Sequence, residues 1–120
     1  MSVGKDKYFV WDYSEKSDIL NVHKAGKKTA GSAELGDFTV DFDKNGNVAG
    51  IEIMNASEFL NLVKITREQL ENIKEAEILV KKRGEYMLVC LKLLLPKNIE
   101  RIIPLPAVVS GTAMIATASA

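Results

Sequence analysis

Along this chain the apolar positions repeat at two periods, and the change between them marks the architecture. In KYFVWDY, residues 7–13, Phe9, Trp11 and Tyr13 fall on one face of a run rich in strand formers. SEKSD reads as a turn, and ILNVHK returns with Leu20 and Val22 turned inward. Residues 38–43, FTVDFD, alternate strictly, and VAGIEIM follows a short polar break. Between these hairpins, AGKKTAGSAELGD carries three glycines and two adjacent lysines, which predicts a loop holding at most a short irregular strand.

The period changes after Asn55. Phe59, Leu60 and Val63 have helical spacing, predicting a helix over about 57–63 capped within Asn55-Ala-Ser57. Thr66 and Gln69 have capping-box spacing at the head of TREQLENI, with Leu70 and Ile73 on its apolar side. Helices this short depend on packing against a sheet. EAEILVKKRGEYMLVCLKLLL then predicts a hairpin turning near Arg83-Gly84-Glu85. Its second arm is apolar on both faces except at Lys92, as expected of a central strand or one covered by a partner. IERIIPLP predicts a further strand, its end confined to an edge or exit by Pro104 and Pro106. The predicted fold is α+β: an antiparallel sheet of six or seven strands built from hairpins, with one or two short helices after the second hairpin. A single domain over 1–120 is expected. It divides into a ββββα part (1–63), a helix-plus-β extension (64–106) and an uncharged small-residue tail (107–120) that is either a free terminus or an arm on a neighbour.

DFDKNGNVAGIE, residues 41–52, fits the spacing of an EF-hand loop, with Asp41, Asp43 and Asn45 at positions 1, 3 and 5, Gly46 at 6 and Glu52 at 12. Such a loop needs helices on both sides, and two-residue alternation flanks this one. A two-residue type I′ turn at Asn45-Gly46 instead sets Phe42 opposite Ala49, Val40 opposite Ile51 and Phe38 opposite Ile53, all on one face. A slip by one residue would mix the faces. The hairpin is the better reading. Asp41, Asp43 and Glu52 remain as a weak metal alternative, far short of the six to eight oxygens calcium takes.

Composition narrows the function classes. Sixteen basic residues balance sixteen acidic ones among 120, so no net field draws the chain to nucleic acid or an anionic membrane. Cys90 is the only cysteine, which excludes an intramolecular disulfide. The first residues lack a signal-peptide core, and no apolar run reaches the roughly 18 to 20 residues of a membrane span. A reducing cytoplasm is the expected compartment, with no membrane partner. Lys and Glu dominate the charges and Gln69 is the only glutamine, a mild thermophile-like bias.

Tyr13, Asp18 and Leu20, followed by Asp41, Phe42, Asp43, Gly46, Gly50, Ile51, Glu52, Ile53, Ala56 and Ser57, resemble the small family catalogued as domain of unknown function 2283. The resemblance covers about residues 8–60. It implies a small antiparallel sheet with a helix, and no established activity or catalytic residue to carry over. Some members are encoded beside toxin genes, which implies an antitoxin-like, partner-binding role. This chain departs from the pattern at Ser14, where an aspartate is usual, and in its extension over 64–120.

No catalytic residue and no cofactor are predicted. His23, the only histidine, has no second histidine or cysteine near it in sequence. Cys90, in an apolar strand, reads as a small core hydrophobe, and Asp18 as a stabiliser of its own hairpin turn. Lys24, Lys27 and Lys28 in one loop, with Lys81, Lys82 and Arg83 at a later turn, are candidate phosphate contacts. They lack P-loop spacing and interleaved aromatics. The leading expectation is a non-enzymatic, homo-oligomeric interaction module, a dimer or larger, with another protein as a further partner. The alternative is a nucleic-acid or nucleotide-phosphate binder using those six cations, favoured if the two basic loops cluster. A small hydrolase on the acidic sheet face is third, and would need a cleft joining Asp41 or Glu52 to His23.

Overall fold

Every segment with clear two-residue alternation is a strand in the computed structural model, which describes residues 2–110 and 113–116. The first sheet comprises β1 (Ser2–Lys5), β2 (Phe9–Ser14), β3 (Ile19–Lys24), β4 (Gly31–Leu35), β5 (Phe38–Phe42) and β6 (Val48–Met54), in the order β1-β2-β3-β6-β5-β4. Two short helices follow, α1 (Ala56–Asn61) and α2 (Arg67–Leu70). A second sheet holds β7 (Glu75–Arg83), β8 (Tyr86–Leu95), β9 (Ile99–Ser110) and β10 (Ala113–Ala116), in the order β10-β9-β8-β7. All pairings are antiparallel, so the fold is α+β and mostly sheet.

The strands are thus shared between two sheets, six in one and four in the other. Two reasons explain why one sheet was expected. β4 buries only Ala33 fully, too little to register as alternation within a glycine-rich stretch. Residues 107–110, expected as part of the small-residue tail, continue β9, and residues 113–116 form β10 beside it. The inward faces meet where β7 lies against β2, β3 and β6. Trp11, Tyr13, Leu20, Val22, Phe42 and Ile53 of the first sheet share one apolar cluster with Ala76, Ile78, Leu91, Leu93 and Ile103 of the second. Leu60, Ile65 and Leu70 close it from the helices. Phe38 and Phe59 meet edge-on, with centroids 4.9 Å apart. The Trp11 Nε1 is buried without an acceptor among the described residues, a local cost the packing must offset.

The β5–β6 hairpin forms with a different turn. Phe38, Val40 and Asp41 pair with Ile53, Ile51 and Gly50 as the pattern requires, but Phe42 pairs with Val48 rather than Ala49. Only Gly46 has positive φ, at +78°, whereas a type I′ turn would need Asn45 there too. The Asp43 carboxylate accepts from the Asn45 and Asn47 N–H groups at 2.9 and 3.0 Å. Gly46 N–H donates to the Asp43 carbonyl at 3.0 Å. These bonds hold a three-residue loop with glycine at its left-handed position. The register shift turns Val48 inward, where it is buried instead of lying on the polar face.

Asp18 does more than stabilise its own turn. Held at φ +56°, it accepts from the Tyr13 hydroxyl at 2.6 Å, from the Ser57 N–H at 3.0 Å and from the Ser57 hydroxyl at 2.7 Å. Its carbonyl also accepts from Ala56 N–H at 3.0 Å. Asp18 therefore caps α1 from 39 residues away. Within the expected capping stretch Asn55-Ala-Ser57, Asn55 is in the left-handed region and makes no side-chain cap bond. At α2 the expected capping box between Thr66 and Gln69 is present, and the Arg67 guanidinium reaches back to the Glu15 carbonyl.

Burial and the hydrogen bond to Asp18 push the Tyr13 hydroxyl up to about 12. Burial works against the Asp18 carboxylate, but the bonds from Tyr13 and Ser57 outweigh it and hold the group below its usual range. A depressed carboxyl stabilises the fold above its unfolded value of 3.8 and loses that contribution as pH falls further. A raised tyrosine contributes fully below 10.0 and loses its contribution on the way to about 12. Urea unfolding of Asp18→Ala should show a loss of about 3 kcal/mol at neutral pH. Its stability should fall less than that of the wild type below pH 3.8 and above pH 10.0; parallel pH profiles would contradict this account. Gly46→Ala should cost about 1–2 kcal/mol by forcing a side chain into the left-handed region, read from the same denaturation curve.

Candidate functional site

The six cations singled out in the sequence do not form one patch. Lys24, Lys27 and Lys82 line a depression of about 320 Å³ between the β3–β4 loop, the β5–β6 turn and β7. Asp43 lines it with them. Hydrogen bonding from Asn47 N–H, ahead of that from Asn45 and the charges of Lys27 and Lys24, holds the Asp43 carboxyl below its ordinary value against the effect of desolvation. A carboxylate from within the chain thus supplies counter-charge where a phosphate would sit. Lys28 lines a neighbouring depression with Lys27, Lys44 and the same Asp43. Lys81 and Arg83, two residues apart on β7, face the opposite way from Lys82.

The acidic face of the first sheet is open and internally bonded. Asp41 accepts from the Ser32 hydroxyl at 2.6 Å, and Asp12 accepts from the Asn21 amide at 3.2 Å. Glu52 lies in register between Asn21 and Thr39. His23 pairs with Gly50, where a Cβ would run into the imidazole ring; glycine is what lets the ring lie there. Its Nδ1 is 3.0 Å from the Lys24 carbonyl and its Nε2 3.2 Å from the Thr29 hydroxyl. With both nitrogens so engaged, no carboxylate orients the ring as a base. Among the described residues, no three His, Cys, Asp or Glu side chains are placed to hold a metal ion.

The surface with the most distinctive pattern lies on the second sheet. β7 buries Ala76 and Ile78 and turns Glu75, Glu77, Leu79, Lys81 and Arg83 outward. On β8, Val89, Leu91, Leu93 and Leu95 are buried, while Leu88, Cys90, Lys92 and Leu94 are half-buried on the outward side. β9 adds Glu100, Ile102 and Pro104. Register joins these into rows: Glu75–Leu94–Glu100, Glu77–Lys92–Ile102, and Leu79–Cys90–Pro104, with Lys81–Leu88 and Arg83–Tyr86 beyond. Leu79 is 37% exposed, Tyr86 49% and Ile102 55%. Lys92 lies 3.8 Å from Glu100.

Cys90 is therefore not a core residue. Strand alternation puts it on the outward face, where burial by its neighbours raises the thiol above its ordinary value and the charge of Lys81 partly opposes the rise. The sequence signal for this face was present in EAEILVKKR, whose odd positions read Glu, Glu, Leu, Lys, Arg. It went unused because β8 was read as apolar on both sides.

No helix among the described residues is long and apolar enough to cross a membrane. No solved structure matches the chain significantly. The uncharacterised protein MJ0789 of Methanocaldococcus jannaschii is 37% identical over 92 residues, covering 77% of this chain and 78% of that protein. Any stretch of that length here includes residues 29–92, so the likeness reaches through β7 and into β8. The family model described as "Protein of unknown function (DUF2283)" matches residues 11–57, a span that starts in β2 and stops at Ser57. The hydrogen bonds from Tyr13 and Ser57 to Asp18 lie wholly inside that match, and the family-model match together with the relative shows that the chain belongs to the DUF2283 family.

Proposed function

We propose that this chain is a non-enzymatic interaction module that pairs with a second copy of itself through the outward face of β7, β8 and β9. The observation that carries the reading is the composition of that face. Leu79, Cys90, Pro104 and Ile102 form an apolar band across three strands. Around it stand Glu75, Glu77 and Glu100 against Lys81, Arg83 and Lys92, a balance of acids and bases; Glu85 lies beyond the last row, in the turn. A neutral face with an apolar centre brings no net repulsion to a second copy, and it offers little to a strongly charged partner.

The basic loops carry no competing reading, because Lys81 and Arg83 face away from Lys24, Lys27 and Lys82 and Asp43 stands among those three. A reducing compartment such as the cytoplasm suits a lone thiol at the centre of the contact.

Light scattering across a concentration series should show a dimer or larger assembly that dissociates on dilution. Ile102→Asp should weaken that assembly roughly 100-fold, since an unpaired buried charge costs about 3 kcal/mol or more. Its melting temperature, measured on the dissociated protein, should stay near the wild-type value, because the residue is already exposed. A wild-type chain that stays monomeric at the highest concentration sinks the proposal.

A further inference from the structure

We infer that the two copies stack these sheets in antiparallel register, with a two-fold axis running along the Leu79–Cys90–Pro104 row. This rests on the self-association just proposed and adds its geometry. Along β7 the charges are not only balanced but segregated, while Lys92 on β8 is already matched by Glu100 within the chain. Glu75 and Glu77 lie to one side of Leu79 along β7, and Lys81 and Arg83 lie to the other. With the strands of two stacked sheets kept aligned, identical faces can be laid together about a two-fold axis either across the strands or along them.

An axis across the strands lays β7 over the partner's β7 and reverses its direction. Glu75 then meets the partner's Arg83, Glu77 meets its Lys81, and Leu79 meets Leu79. Symmetry repeats each ion pair, making four. An axis along the strands lays β7 over the partner's β9 instead, and the acidic row, Glu75–Leu94–Glu100, falls on its own copy; the nearby cation, Lys92 at 3.8 Å from Glu100, is shared among these carboxylates, and Lys81 and Arg83 are left without an acidic partner. Like charges directly opposed disfavour that arrangement. Only the antiparallel stack satisfies the segregated pattern. It also brings the two Cys90 residues together at the dyad, across sheets packed about 10 Å apart.

Charge reversal distinguishes the registers. In sedimentation equilibrium, Glu75→Lys with Glu77→Lys should weaken the wild-type dimer roughly 100-fold, four exposed ion pairs each contributing about threefold. Lys81→Glu with Arg83→Glu should do the same. Combining all four substitutions should restore near-wild-type affinity, because every antiparallel pair is then re-formed with its signs exchanged. In parallel, mild oxidation of the unmodified protein with diamide should join two chains by a Cys90–Cys90 disulfide, the two thiols giving up their hydrogens to the oxidant, a readout that needs no substitution. A wild-type dimer that neither recovers affinity in the fourfold variant nor cross-links through Cys90 overturns the register while leaving self-association standing. A wild-type monomer removes both.

Discussion

Much of this molecule hangs on one carboxylate. Asp18 sits in the turn between β2 and β3 with positive φ, a conformation that disfavours most side chains but suits a short polar one that can bond locally. From there it takes hydrogen bonds from a fully buried tyrosine at the end of β2 and from both the backbone and the hydroxyl at the start of α1. α1 has only six residues, too few to be stable by itself. Its start is defined by Asp18, and Leu60 in its last turn is driven into the core between the sheets. Where the chain leaves the first sheet, and at what angle it approaches the second, therefore follows from a contact spanning 39 residues. The two ionisation states that favour this contact, charged aspartate and neutral tyrosine, coexist across the whole neutral range.

The legible parts of the fold were those whose burial follows the simple periods. Trp11, Tyr13, Leu20, Val22, Ile51 and Ile53 all lie inward as their alternation required. The capping box at Thr66 and Gln69 is local chemistry and was readable as such. Three features were not legible, each for a physical reason. The β5–β6 loop type depended on the side-chain bonds of Asp43, which relieve Asn45 of any need for positive φ and so shift the register by one. The division into two sheets depended on weakly patterned strands, β4 and the end of β9 with β10. The reach of Asp18 to Ser57 is long-range, and no window along the chain contains both ends of it.

The candidate surface shows the same division. Opposite charges at the two ends of EAEILVKKR were plain in the sequence, and their separation on a single face needs only the two-residue period. What the sequence withheld was the setting of Cys90 and Leu88. An apolar strand flanked by two others looks like a core strand, yet only Met87, Val89, Leu91, Leu93 and Leu95 go inward. Conversely, the basic residues at 81–83 read as one cluster in the sequence and are two in space, because adjacent strand residues point to opposite faces.

The two sheets also answer to different constraints. Between β2 and the head of α1, the span matched by the family model, the polar groups that matter turn inward or bond within the chain: Tyr13 to Asp18, Asp18 to Ser57, Asp43 to its own turn, His23 over Gly50. They explain why these residues are where they are without invoking a ligand. The second sheet has the reverse character. Its inward face completes the shared core, and its outward face keeps apolar side chains exposed beside β7 charges whose opposites lie at the far end of the same strand. Folding alone does not require that segregation, since surface charges of mixed order would keep the sheet equally soluble. The proposed pairing would use that pattern directly, because a strand whose charges reverse sign about Leu79 complements its own copy turned end for end.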